Sequence, residues 1–179
     1  KNLLFLIQNG EDGIVPCATT GERPSLSDDE YERIIKITVE ENSGKLPVIA
    51  GCGTNSTTKT IKLMHRAQEY GATALLIVTP YYNKPTPEGL YRHYKAVSAE
   101  TDRPIIIYNV PGRTGTNIMP KTVAQLAREC KNIAGIKEAS GNLEQVSELA
   151  LLRPDDFAIL SGDDALTFPM LALGAEGVI

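Results

Sequence analysis

Short runs of Val, Ile, Leu and Ala alternate with amphipathic stretches along the chain. Runs at Gly13–Ala18, Pro47–Gly51, Ala74–Thr79, Pro104–Tyr108, Ile133–Lys137, Phe157–Ser161 and Gly177–Ile179 predict seven strands. Most are almost continuously apolar, as parallel strands covered on both faces must be. The segments between them read as helices. Ser27-Asp28-Asp29-Glu30 has the spacing of a capping box, and Tyr31, Ile34, Ile35, Thr38 and Val39 then fall on one helical face. Pro87 and Pro120 stand where a first helical turn tolerates proline. Leu90, Tyr91, Tyr94 and Val97 make one apolar stripe, and Val123, Leu126, Ala127 and Cys130 make another. His65 and His93 both fall on helices, as surface or packing residues rather than ligands.

Strand and helix recur at close to the ~30 residues of a βαβ unit. This predicts an α/β fold, either most of a (β/α)8 TIM barrel or an open doubly wound sheet, which periodicity alone does not separate. Two details favour the barrel. Lys1–Asn9 reads as the end of a helix, and Gly177–Ile179 stops inside a strand. A barrel takes ~250 residues. The expectation is therefore one partial catalytic domain over residues 1–179, lacking the first strand and everything after the start of the last.

Composition narrows the function. The 179 residues are 42% hydrophobic and 22% charged, as in an ordinary globular chain. The 18 Lys and Arg against 22 Asp and Glu give a net charge of −4 and form no basic stripe, which argues against a nucleic-acid partner. The longest apolar runs, Ile14–Ala18 and Ala74–Val78, are far too short to span a bilayer. Cys17, Cys52 and Cys130 are widely spaced, fitting a reduced cytoplasmic protein better than a disulfide or zinc framework.

In α/β folds chemistry gathers at the carboxyl ends of strands. Lys137 closes the apolar run Ile133-Ala134-Gly135-Ile136. Desolvation there can lower an amine pKa from ~10.4 and yield a nucleophile for a carbonyl; alternatively the side chain snorkels into solvent. Tyr108 closes Ile105-Ile106-Ile107 and is either a proton donor and acceptor or a rim tyrosine bound to water. Thr19 and Thr20 precede Gly21 in a turn whose N–H groups can cradle a carboxylate. Arg113, on the tight loop Pro111-Gly112-Arg113-Thr114-Gly115, can grip a carboxylate by two hydrogen bonds or stand free in solvent. Gly51-Cys52-Gly53 lacks the third glycine of a dinucleotide fingerprint and only weakly suggests NAD. Asp163-Asp164 suits a helix N-cap better than a metal, and no other ligand spacing is present.

Six of these segments, in this order, resemble the dihydrodipicolinate synthase family, among the pyruvate-dependent, Schiff-base class I aldolases. They are Ala18-Thr19-Thr20-Gly21-Glu22, Pro47-Val48-Ile49-Ala50-Gly51, Thr79-Pro80-Tyr81-Tyr82-Asn83, Tyr108-Asn109-Val110-Pro111-Gly112-Arg113-Thr114-Gly115, Gly135-Ile136-Lys137-Glu138-Ala139-Ser140-Gly141 and Leu160-Ser161-Gly162-Asp163-Asp164. The resemblance implies a lyase that condenses pyruvate with aspartate 4-semialdehyde in lysine and diaminopimelate synthesis, without cofactor or metal. It implies that Lys137 forms the imine and Tyr108 moves protons. Thr20 would link Tyr108 to Tyr82, supplied across a dimer interface of a homotetramer. Thr19 and Thr20 would hold the pyruvate carboxylate and Arg113 that of the semialdehyde, with Gly162 and Ile179 lining the pocket through backbone groups. N-acetylneuraminate lyase and keto-deoxy-sugar-acid aldolases share the lysine and tyrosine and remain alternatives, as does a non-catalytic binding barrel. Ala18 stands where the family most often has glycine. Lysine-inhibited members carry a histidine and a glutamate where Tyr31 and Lys59 stand here, while Asn55 and Tyr81 match, so inhibition by lysine is expected to be absent or weak.

Overall fold

A computed structural model describes all 179 residues. Six strands, β1 (Ile49–Gly51), β2 (Ala74–Val78), β3 (Ile105–Asn109), β4 (Ile133–Glu138), β5 (Ala158–Ser161) and β6 (Gly177–Val178), form one sheet. Every pairing is parallel and each strand lies beside its successor in sequence. A doubly wound sheet reverses its strand order at a switch point. No reversal occurs here, so the sheet winds as a barrel wall does.

Four of the α-helices, those opening at Asp28, Thr57, Pro87 and Leu143, begin where a side chain satisfies a free N–H group. In α2 (Asp28–Asn42) Ser27 accepts from the Glu30 N–H at 3.3 Å while Glu30 accepts from the Ser27 N–H at 2.9 Å. Thr86 caps α4 (Pro87–Ser98) and Asn142 caps α7 (Leu143–Leu152). Pro87 and Pro120 take the first positions of α4 and α6 (Pro120–Glu129), where no N–H partner is needed. The remaining helices are α1 (Asn2–Gln8), α3 (Thr57–Glu69), α5 (Pro111–Thr114) and α8 (Thr167–Ala172). None is long and apolar enough to cross a membrane.

Alternation along the strands divides the apolar residues in two. Leu75, Ile77, Ile105, Ile107 and Ile136 join Tyr31, Ile35, Met64, Tyr94 and Leu126 in the larger core beneath the helices. Leu76, Tyr108 and Val110 form a small cluster with Val15, Val78 and Ile106 on the opposite, concave side. Each fully buried Leu or Ile contributes about 1.5–3 kcal/mol, so the helix-facing layer carries most of the packing.

Two expectations require correction. Gly13–Ala18 is shorter than a full strand: Ile14 bridges Val48 in parallel and the Pro16 carbonyl accepts from the Gly51 N–H at 3.0 Å, and the pairing ends there. Pro16 has no N–H to donate, and Cys17 takes a left-handed φ of 56°, which turns the chain away. The Arg113 segment is a one-turn helix, α5, closed by Gly115 in a left-handed conformation.

Candidate active site

Parallel register sets the centre of the site. Tyr108 on β3 pairs with Lys137 on β4, so both side chains leave the sheet on its concave face. Lys137 Nζ lies over the Tyr108 ring, 4.6 Å from its centroid. Lys137 is only 8% exposed and Tyr108 6%. Burial lowers the Lys137 pKa from its ordinary value, while the Asp164 carboxylate pulls it back up. The balance leaves a lysine that gives up its proton more readily than a free amine, which a nucleophile requires.

Gly162 stands against this lysine. A Cβ there would lie 2.8 Å from Lys137 Cε and 2.9 Å from Ala139 Cβ. The Gly162 N–H is held by the Glu138 carbonyl at 2.9 Å, and the Ile179 N–H by the Ser161 carbonyl at 2.9 Å. Gly162 therefore sits beside the lysine at the end of β5, and Ile179 lies at the end of the next strand, β6.

Thr19 donates its hydroxyl to the Tyr108 oxygen at 3.5 Å, the outer limit of a hydrogen bond. Thr20 is exposed, and neither the Thr19 nor the Thr20 N–H donates to another main-chain group. The left-handed residue of this turn is Cys17 rather than Ala18, so the alanine methyl is accepted without strain. Tyr82 is 87% exposed with φ 71°, and its N–H donates to the Thr114 carbonyl at 3.3 Å. That bond docks the Tyr82 turn on the helix carrying Arg113. Thr19, Tyr82, Tyr108 and Arg113 all line one cavity of about 800 Å³; Lys137, Thr20, Gly162 and Ile179 do not line it, and Lys137 lies against the ring of its lining residue Tyr108. The Thr20 side chain is not joined to either tyrosine within this chain.

The rest of that cavity corrects the sequence reading. Asn55, Lys59 and Tyr81 line it, but Tyr31 is fully buried with the Arg23 guanidinium 4.3 Å above its ring. Arg23, not Tyr31, faces the cavity. The Gly51 turn has a packing cause: a Cβ at Gly51 would stand 2.2 Å from the Cys17 carbonyl oxygen. The Asp163 carboxylate caps a short 3-10 turn by accepting from the Ala165 N–H at 3.0 Å.

One group was missed from sequence. Glu138 is 1% exposed and accepts from Asn109, Ser140 and Gln145 on the helix-facing side of the sheet. The available signal was a carboxylate directly after an apolar strand, one residue from the lysine and hence on the opposite face.

The sequence model of the dihydrodipicolinate synthetase family matches residues 1–179. The chain belongs to the dihydrodipicolinate synthetase family. Among family members, it is 54% identical over 175 residues to the 4-hydroxy-tetrahydrodipicolinate synthase of Syntrophus aciditrophicus, covering 98% of this chain and 60% of that protein. It is 55% identical, with the same coverage, to the synthase of Geobacter sulfurreducens. The solved dihydrodipicolinate synthase of Aquifex aeolicus superposes with a TM-score of 0.97 at 48% identity, over 99% of this chain and 60% of that one. The chain thus spans about 60% of the length of the dihydrodipicolinate synthetase family members it matches.

Proposed function

We propose that the full-length protein is a 4-hydroxy-tetrahydrodipicolinate synthase, a lyase that joins pyruvate to aspartate 4-semialdehyde through an imine on Lys137. The observation that carries this reading is the buried Lys137 amine, its pKa lowered by burial, over the ring of Tyr108 on the adjacent strand. The neutral amine adds to the pyruvate ketone carbon and water leaves. The resulting iminium accepts electrons, so the methyl group loses a proton and the enamine attacks the aldehyde carbon. Tyr108 moves protons in these steps, and Thr19, whose hydroxyl reaches the Tyr108 oxygen, takes the linking role towards Tyr82 that the resemblance gave to Thr20. The Thr19 and Thr20 N–H groups bind the pyruvate carboxylate, and Arg113 binds that of the semialdehyde. Gly162 and Ile179 line the substrate through backbone groups. The exposure of Tyr82 supports its use by a second copy in a homotetramer built as a dimer of dimers. Three free, buried thiols support a cytoplasmic setting.

Lys59 on the cavity wall supports insensitivity to lysine, because an ammonium there repels a cationic ligand.

Trapping tests the chemistry. Full-length protein incubated with pyruvate and borohydride gains a reduced adduct that maps to Lys137. Lys137→Ala gains none, whereas Tyr108→Phe keeps the adduct but turns over about 10² to 10⁴ more slowly. Absence of an adduct on folded wild-type protein refutes the proposal.

A further inference from the structure

Asn109 pairs with Glu138 one step beyond the Tyr108–Lys137 pair, on the other face of the same two strands. The Glu138 carboxylate is buried with no basic side chain within ion-pair distance. Donors alone surround it. The Ser140 N–H reaches it at 2.7 Å, Asn109 Nδ2 lies 3.1 and 3.0 Å from its two oxygens, and Gln145 Nε2 is at 3.1 Å. Asn109 Nδ2 also donates to Asn117 Oδ1 at 2.8 Å, and its Oδ1 accepts from the Ile118 N–H at 3.2 Å. Asn117 Nδ2 donates to Gln145 Oε1 at 2.8 Å. One connected set of bonds thus joins β3, β4, α7 and the base of the excursion that carries Arg113.

A charge buried without a counter-charge opposes folding unless every lone pair finds a donor. Here the cradle is built entirely of neutral donors, and it lies behind the lysine rather than elsewhere in the fold. Because side chains alternate, rotation of β4 about its axis would move Glu138 and Lys137 together. Holding one holds the other.

We propose that Glu138 is a positioning residue: through Asn109, Asn117 and Gln145 it fixes Lys137 against Tyr108, and with them the Arg113 helix. The inference rests on Lys137 being the imine-forming residue. Glu138→Gln places an amide nitrogen against one of the converging donors and forces part of the network to open. In Glu138→Gln with Gln145→Glu, the residue-145 carboxylate accepts from the new amide and from Asn117 Nδ2, which restores the link between residues 138 and 145, while the Gln145 Nε2 bond to Asn117 Oδ1 at 3.2 Å is lost.

The experiment uses full-length protein and follows the rate of borohydride-trapped pyruvate adduct, kcat, the pyruvate KM and thermal unfolding. Glu138→Gln is expected to slow adduct formation and kcat by about 10- to 100-fold, as a displacement near 1 Å at the reacting groups does. The pyruvate KM should stay within about threefold, because the Thr19–Thr20 turn lies outside the network. The exchanged double variant should trap pyruvate at least about threefold faster than Glu138→Gln alone, which a merely destabilised protein would not do. Gln145→Met removes a single donor from outside the strands and should slow adduct formation about three- to tenfold even if Glu138→Gln does not fold. Wild-type rates in folded Glu138→Gln, or in Gln145→Met, overturn the inference while leaving Lys137 as the nucleophile. A wild-type protein that forms no adduct overturns the underlying reading instead.

Discussion

Gly162→Ala tests the site most directly, because the perturbation is one methyl group at a known place. The new Cβ would stand 2.8 Å from Lys137 Cε, 3.1 Å from its Cγ and 2.9 Å from Ala139 Cβ. Carbon atoms in ordinary contact are about 3.5–4.0 Å apart, so each overlap is roughly 0.5–1 Å. Ala139 cannot rotate away, since its methyl is fixed to the backbone. Lys137 can, but only by swinging its amine off the Tyr108 ring. Overpacking of this kind costs about 1–3 kcal/mol of stability. Displacing a reacting group by ~1 Å slows its reaction by up to ~10²-fold. The full-length variant should therefore remain folded, with a denaturant midpoint lowered within that energy range. Its rate of pyruvate trapping should fall by about 10- to 100-fold. Quenched-flow trapping across a range of pyruvate concentrations measures the rate, and urea titration measures the stability. Trapping within twofold of wild type would refute the argument that Gly162 is required by the position of Lys137.

His93 should make stability depend on acid. It is 6% exposed, its Nδ1 lies 2.9 Å from the Thr57 hydroxyl, its Nε2 has no partner, and burial pushes its pKa from 6.5 to about 4. The folded pKa lies below the unfolded one, so this contribution is complete above pH 6.5 and is lost as pH falls towards 4, by about 3 kcal/mol in all. Urea titrations of wild type and His93→Gln at pH 7.5 and 4.5 should show the loss only in wild type; equal losses exclude His93 as its source. Lysine should not inhibit the full-length enzyme at millimolar concentration, because Lys59 and Arg23 face the cavity. Half-inhibition below about 1 mM, roughly −4 kcal/mol of binding, would contradict that.

What could be read without coordinates was whatever depends on neighbours in the chain. The Ser27–Glu30 capping box, the prolines opening α4 and α6, and the apolar strands at β2 to β5 are local patterns, and each forms as the sequence predicts. Lys137 and Tyr108 were legible singly because each polar side chain ends an apolar run. Their contact was not, since it depends on the register between two strands joined by a long crossover. The Gly13–Ala18 pairing stops at Pro16 because Cys17 turns left-handed, with its carbonyl where a Cβ at Gly51 would stand, an arrangement of residues distant in sequence. The helical pattern puts Tyr31 on the apolar face of α2, where it is buried, whereas the resemblance put it at the lysine cleft, where Arg23, packed over its ring, stands instead. Glu138 is the extreme case. Its three neutral side-chain and backbone partner residues come from β3, from α7 and from the turn after β4, and a carboxylate is buried only where all of them converge. Hydrogen bonds act over about 3 Å, so partners far apart in sequence become partners only once the chain has folded.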